Sequence, residues 1–125
     1  MPANYEDPVT SSHSMDALDA VSIAWDESGD FKTNLEQIIT QKYIALYPVG
    51  QEAWTEFRRT GYPKVFPVVV NESSGGSVDT NIQIRRLPYP ESEYNTNRTE
   101  LDKGITLLGG VDNPGVRLWW DVPNK

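Results

Sequence analysis

The amino-acid sequence predicts a mostly α-helical chain with long irregular loops and room for one short β-hairpin. Two segments, 33–61 and 97–110, carry apolar residues at helical spacing, and each opens on a polar capping residue and closes on glycine. Nine prolines and nine glycines interrupt the chain. Leu, Ile, Val and Phe total only 29 of 125 residues, so we expect a small apolar core, part of which neighbouring structure supplies.

A helix pair is predicted over 33–61, after a loop-rich lead-in over 1–30. Thr33 and Glu36 form a capping box, in which the Thr33 hydroxyl accepts from the Glu36 N–H and the carboxylate reaches back. The helical stripe that follows consists of Leu35, Ile38, Ile39, Lys42, Tyr43 and Leu46. Pro48 ends this helix, and only Val49 and Gly50 separate it from the next one.

The second helix of the pair runs from about Gln51 to Thr60, with Gly61 as its C-terminal glycine. It carries an unusual group of side chains: Trp54, Glu56, Phe57, Arg58 and Arg59. Helical spacing predicts that Arg58 stacks on the Trp54 indole, while Arg59 points elsewhere and pairs with Glu56. Two interpretations remain open. Trp54 and Phe57 pack while Arg58 ties a loop to the helix, or the group is a platform for a sugar or peptide.

The segment 62–96 is predicted to be extended or looped, and 111–125 is predicted to be a tail. Val65–Val70 and Asn81–Leu87 favour strands, and the hairpin that they would form has a ten-residue loop. The helix over 97–110 begins at Asn97, with Glu100 three residues later. Its apolar stripe consists of Leu101, Ile105 and Leu108. The whole chain, 1–125, is predicted to be a single segment.

Charge and composition exclude several classes of protein. The net charge is −7 and the pI is about 4.6, which is the wrong sign for a nucleic-acid binder. The absence of cysteine excludes disulfides, thiolate metal sites and a cysteine nucleophile. No apolar run is long enough to span a membrane, and the N-terminus does not have the pattern of a signal peptide.

No catalytic, metal-binding or cofactor-binding residue is predicted. The acidic pairs Asp26–Glu27 and Glu91–Glu93 lie in turn-like stretches, where nothing favours the raised pKa of a general acid. His13 is the only histidine and has no partner at metal-ligand spacing.

Two further pairs call for an interpretation. The neighbours Arg85 and Arg86 are expected to form salt bridges on opposite sides of an extended stretch. Of Trp119 and Trp120, one is expected to be buried and the other exposed. Both a packing role and contact with a ligand remain open for them, and packing is favoured.

Three long strings point to a family. LEQIITQKYIALYPVGQEAWTEFRRTGYPK, IRRLPYPESEYNTN and LLGGVDNPGVRLWWD together resemble the C-terminal part of SusD/RagB-family proteins, the nutrient-binding outer-membrane lipoproteins of Bacteroidetes. The resemblance implies an α-helical fold with tetratricopeptide-like repeats and a lipid anchor at the cell surface. It also implies a SusC-like TonB-dependent transporter as partner, and a glycan or another nutrient as ligand. It identifies no ligand-contacting residue, because those vary between members.

The resemblance implies a non-catalytic binding protein that forms part of a SusCD-type import complex. Because the anchor and the repeats have no counterpart here, we expect Met1 to be an internal methionine or a truncated start of a longer parent. The framework strings favour packing for Trp54 and Phe57. Two alternatives remain: a surface glycoside hydrolase or its accessory domain, and a transporter-docking module without a ligand of its own.

Overall fold

The computed structural model describes residues 4–16, 21–73 and 77–121. The chain divides into two compact units. The N-terminal unit ends at Phe66 in the described residues, and the C-terminal unit begins at Pro67. The end of the predicted tail, 122–125, and part of the lead-in, 17–20, lie outside the described residues. The prediction of a mostly helical chain with irregular loops is confirmed. One short hairpin is present, but not at the predicted place.

The short β-hairpin lies in the lead-in of the N-terminal unit. β1 (Asn4–Tyr5) pairs antiparallel with β2 (Met15–Asp16), and a short 3₁₀ helix (Ser11–His13) lies between them. The carboxylate of Asp7 fixes the turn after β1, since its Oδ1 accepts from the backbone N–H groups of Val9 and Thr10 at 2.8 and 2.7 Å.

The hairpin predicted from Val65–Val70 and Asn81–Leu87 is wrong. Within residues 65–73 and 77–87 no strand forms, although the Val68 N–H donates to the Thr80 carbonyl at 3.0 Å. The Asp79 carboxylate accepts from the N–H groups of Asn81 and Ile82 and makes a turn where the second strand would start. Local capping therefore overrides the β-branched composition.

The helix α1 spans Phe31–Ala45 and begins two residues before the predicted start. Its cap is Asp30, whose side chain accepts from the Thr33 N–H at 2.8 Å. The predicted capping box at Thr33 is therefore wrong, because a carboxylate already stands at the preferred cap position three residues earlier.

The helix α2 spans Gly50–Thr60 and packs on α1. Gly61 follows in the left-handed region (φ 78°), and its N–H donates to the Phe57 carbonyl at 2.8 Å, as predicted. Ile39 and Ala53 are buried, but Ile38 of the predicted stripe is 52% exposed. The α1 stripe is thus only partly covered.

The C-terminal unit holds two helices, α3 (Glu91–Thr96) and α4 (Arg98–Leu107). Asn97 precedes α4 as predicted, but its side chain donates to Glu93 and makes no capping bond to α4. Leu101 is buried as expected for the apolar stripe. The Tyr89 hydroxyl packs against α4 at Gly104, where a Cβ would lie 2.8 Å from it. The helix α3 falls in the stretch predicted as loop. None of the helices within the described ranges has both the length and the apolarity to cross a membrane.

Candidate functional site

The aromatic and basic group on α2 forms as the helical spacing predicts. The Arg58 guanidinium lies 3.5 Å from the centroid of the Trp54 ring, and Arg58 is buried. Its Nη2 donates to Thr55 Oγ1 at 3.4 Å. Trp54 and Phe57 are both half-buried. Because Arg58 covers the Trp54 ring, that face of the indole is not open to a ligand.

A network of charges joins α1 to α2 at the surface. Lys42 Nζ lies 3.2 Å from Glu52 and 3.1 Å from Glu56, and Arg59 contacts Glu56 at 2.5 Å. The predicted Arg59–Glu56 pair is confirmed. Arg59 and then Lys42 hold the pKa of the Glu56 carboxyl below its usual value, although partial burial opposes them.

Arg85 belongs to a buried ion cluster of the C-terminal unit. Its guanidinium bonds both carboxylate oxygens of Asp121, with Nε donating to Oδ2 at 2.7 Å. Arg117 Nη1 donates to the same carboxylate at 2.7 Å. The Arg85 side chain is 3% exposed and that of Asp121 is 0% exposed. The predicted salt bridge is confirmed, but its burial was not foreseen.

Arg86 takes part in a second buried cluster around Asp112. Arg86 Nη1 pairs with Asp112 Oδ1, and Tyr94 Oη donates to Oδ2 at 2.7 Å. The Tyr89 N–H also donates to Oδ2, at 3.0 Å. Burial raises the pKa of Asp112, but the bonds from Arg86, Tyr94 and Tyr89 outweigh it and hold that pKa below its usual value. The bond to Asp112 raises the pKa of Tyr94.

The two arginines also fix one loop through their backbone. The N–H groups of Arg85 and Arg86 donate to the Pro114 carbonyl at 2.8 and 3.2 Å. Neighbouring Gly115 lies so close to the Ser77 carbonyl that a Cβ would clash with it. The clusters around Asp121 and Asp112 therefore have a structural role, since they hold loops in position, and they do not have the form of a reaction centre.

The acidic pairs do not form a general acid–base pair. The side chain and backbone N–H of Ser28 hydrogen-bond Asp26 and hold its pKa below the usual value. A general acid needs the opposite shift. Glu91 and Glu93 occupy the first turn of α3, where the negative charge of a carboxylate interacts favourably with the helix dipole.

The described residues contain no group of three or more His, Asp or Glu side chains that would hold a metal ion. His13 Nδ1 lies 3.8 Å from Asp7, within the lead-in hairpin.

A cleft that was not predicted from the sequence lies in the N-terminal unit, between residues 21–26 and the first turns of α1. Its volume is about 450 Å³. We call it the Trp25 cleft, and the lining residues that matter here are Ser22, Trp25, Asp26, Thr33, Glu36 and Gln37. Trp25 is 56% exposed, whereas Gln37 is 7% exposed. The sequence signal for it was the one apolar segment of the lead-in, Val21 to Trp25.

Gln37 joins the two walls of the Trp25 cleft. Its Nε2 donates to the carbonyls of Ser22 and Ala24 at 3.2 and 3.0 Å. The other exposed tryptophan, Trp119, is 89% exposed and follows half-buried Leu118 in the C-terminal unit, while Trp120 is half-buried. The expected division between Trp119 and Trp120 is thus confirmed in direction.

The comparison with protein families gives one clear result. The family model described as "SusD-like: Susd and RagB outer membrane lipoprotein" matches residues 1–121. The comparison with curated proteins gave no match.

Solved structures agree with the family model. A chitin-binding SusD homologue from Flavobacterium johnsoniae is 45% identical, with a TM-score of 0.89 over 98% of this chain and 25% of that one. A SusD homologue from Bacteroides thetaiotaomicron is 45% identical, with a TM-score of 0.85 over 96% of this chain and 26% of that one. A SusD homologue from Bacteroides vulgatus is 43% identical, with a TM-score of 0.87 over 98% and 24%. The chain thus spans about a quarter of the length of the solved relatives that it matches.

Proposed function

We propose that this chain, which belongs to the SusD-like family of SusD and RagB outer-membrane lipoproteins, binds a nutrient glycan and does not catalyse a reaction on it. The observation that carries the proposal is the 45% identity to a chitin-binding SusD homologue over nearly the whole chain. Fold alone would not support a function. Here family, fold and close sequence similarity point the same way.

The polar clusters support binding over catalysis. Asp121 and Asp112 are both engaged by arginines, so neither is available as a nucleophile or general acid. Asp26 has a pKa below its usual value, which favours a hydrogen-bond acceptor over a proton donor.

Direct titration of glycans tests the proposed function. The natural full-length protein that carries this chain is titrated by isothermal calorimetry with soluble fragments of chitin, starch, xylan and pectin. We expect saturable binding to at least one of them. A protein that binds none of these would contradict the glycan proposal. Release of reducing ends from a bound glycan would instead favour the alternative, a glycoside hydrolase.

We further propose that the whole protein acts at the cell surface, tethered by a lipid anchor, beside a SusC-like TonB-dependent transporter. The name of the family supports an outer-membrane lipoprotein. The expected result is co-purification of the transporter from detergent-solubilised membranes of the native cell. Its absence from a preparation that still binds glycan would argue against the partnership.

A docking module without its own ligand is the second candidate. The observation that favours it is the exposed apolar side of α1, where Phe31 is 78% exposed and Ile38 half exposed. Ile38→Asp in the full-length protein separates the two candidates. Docking alone would be favoured if Ile38→Asp no longer co-purified with the transporter and the unsubstituted full-length protein bound no glycan.

A further inference from the structure

We propose that the Trp25 cleft is a binding site for a neutral saccharide, with the Trp25 indole as its stacking platform. This inference rests on the proposed function, glycan binding, and gives that function a location. The cleft brings together an aromatic face, hydroxyl groups, a buried amide and carboxylates. Ligand sites commonly combine a shaped apolar surface with a few placed polar groups, in cavities of roughly 300 to 1,000 Å³. The volume of the Trp25 cleft falls within that range.

The exposed face of Trp25 is the first element of the site. More than half of this large side chain is open to solvent, although it belongs to the apolar segment of the lead-in. An exposed indole contributes little to the core, but its flat π-face suits the C–H face of a sugar ring. The chain offers another exposed indole, Trp119, which provides a matched comparison.

The segment that carries Trp25 is held in place before any ligand arrives. Gln37 binds the carbonyls of Ser22 and Ala24, on both sides of Ile23. On the other side of Trp25, Asp26 accepts from the N–H and the hydroxyl of Ser28 at 2.9 and 2.6 Å. A platform that is already fixed loses less conformational entropy on binding, so it binds more tightly than a loose one.

The amide of Gln37 provides a second, independent sign of a ligand. Its side chain is more than nine-tenths buried, and its Oε1 accepts no hydrogen bond from any part of the chain that the structure describes. Buried acceptors are rarely left without a donor. A saccharide hydroxyl that enters the cleft is a donor of the required kind.

The charges of the cleft restrict the class of saccharide. Asp26 and Glu36 are the ionisable residues among its lining, and both are acids. The low pKa of Asp26 keeps that carboxylate ionised at neutral pH. Carboxylates accept hydrogen bonds from sugar hydroxyls but repel uronic acids and sulfated sugars. The site is therefore expected to take neutral chains and to reject polygalacturonate.

A second cleft, beside the lead-in hairpin, lacks an available aromatic face. Its aromatic residue is Tyr5, whose ring lies 6.2 Å from the Phe66 ring, centroid to centroid. The Tyr5 hydroxyl also donates to Asp7 at 3.3 Å. Tyr5 is thus engaged within the protein, which makes the Trp25 cleft the better candidate.

The test compares three tryptophan variants of the full-length protein with the wild type by calorimetric titration. The ligands are the neutral trimers triacetylchitotriose, maltotriose and xylotriose, and the acidic trimer trigalacturonate. For whichever sugar the wild type binds, Trp25→Ala is expected to weaken affinity by about tenfold or more, the loss of one stacking contact. Trp119→Ala is the matched control and is expected to stay within about twofold of the wild type. Trp25→Tyr keeps a ring and is expected to fall between wild type and Trp25→Ala, which excludes simple misfolding.

The outcomes separate the site from the function. If the wild type binds a sugar and Trp25→Ala binds it equally well, the Trp25 cleft is not the binding site, although the proposed glycan binding stands. Loss of affinity in Trp119→Ala alone would place the platform on the other tryptophan. No binding of any neutral sugar by the wild type would contradict the cleft as a neutral-saccharide site. If the wild type also bound no trigalacturonate, the proposed function would be contradicted as well. Tight binding of trigalacturonate that Trp25→Ala abolishes would contradict the neutral specificity.

Discussion

The N-terminal and C-terminal units hold their elements together by different forces. In the N-terminal unit, α1 and α2 bury Ile39 and Ala53, and their ion pairs lie at the surface around Lys42. In the C-terminal unit, two buried carboxylates, Asp112 and Asp121, each accept from more than one donor. Each set of donors includes an arginine from a distant part of the chain, Arg86 for Asp112 and Arg85 for Asp121. The C-terminal unit thus fixes its loops with buried ion pairs.

This difference has an energetic consequence. Surface pairs contribute little, because solvent screens them and ordering long side chains costs entropy. A buried pair contributes an uncertain net stability, but removal of one member leaves an uncompensated buried charge, which is costly. The C-terminal unit should therefore be fragile toward single charge removals, whereas the N-terminal unit should tolerate them.

The largest expected effect is that of Asp121→Asn. Loss of this carboxylate leaves the buried Arg85 guanidinium without its counter-charge, and the expected loss of unfolding free energy is about 3–5 kcal/mol. Urea denaturation followed by circular dichroism measures it. The control is Asp102→Asn, which breaks the exposed pair with Arg98 and should cost about 0.5 kcal/mol or less. Equal losses in the two variants would contradict the comparison.

Acid should weaken the C-terminal unit through Asp112. Because its folded pKa lies below the usual value of about 4, its contribution is present above pH 4 and is lost as the pH falls through the folded pKa. Acid titration of wild type and Asp112→Asn, followed by near-ultraviolet circular dichroism, checks this. The variant should be less stable at neutral pH and less sensitive to acid. If the variant unfolded with acid over the same pH range as the wild type, Asp112 would not be a source of the acid sensitivity.

Tyr94→Phe should have a smaller effect, because it removes one donor and leaves the charges of the cluster paired. The lost bond to the Asp112 carboxylate is expected to cost about 1.5 kcal/mol. Tyr47→Phe is the control, since Tyr47 is almost fully exposed. Both values come from urea midpoints at pH 7, and a Tyr94→Phe variant as stable as the control would show that this bond adds nothing.

The smallest effect is expected in the N-terminal unit, from Arg58→Lys. The change keeps the charge but loses the planar guanidinium stacked on Trp54, a contact worth about 0.5–1 kcal/mol. Arg59→Lys, at the exposed neighbour, should be nearly neutral. Thermal unfolding measures the stability of both variants. If Arg58→Lys destabilised the protein more than Asp121→Asn does, the proposed ranking of the two units would be reversed.

The features that could be predicted from the sequence are those that depend on neighbouring residues, such as helix ends and contacts along one helix. Gly61 marked the end of α2, Asn97 marked the start of α4, and helical spacing placed Arg58 on Trp54. It missed α3, whose six residues carry no apolar stripe. The capping box at Thr33 failed because the stronger cap, Asp30, stood just before it.

The partners of Arg85 and Arg86 were beyond sequence reasoning. Both arginines were expected to pair with acids, but Asp121 and Asp112 lie 36 and 26 positions away, among 18 acidic residues. The Trp25 cleft was missed for the same reason, since it depends on Gln37 reaching back to Ser22 and Ala24. Such pairings follow from tertiary packing, which a single sequence does not specify.

The most direct test of the central comparison is hydrogen exchange at the backbone amides of Arg85 and Arg86, the arginines of the two buried clusters. Both amides donate to the Pro114 carbonyl. Exchange is compared by NMR in wild type, Asp121→Asn and Arg58→Lys. The account predicts that Asp121→Asn speeds exchange of these amides by about a hundredfold or more, while Arg58→Lys leaves them within about threefold of the wild type. Equal exchange in Asp121→Asn and wild type would contradict the claim that buried ion pairs hold the C-terminal unit together.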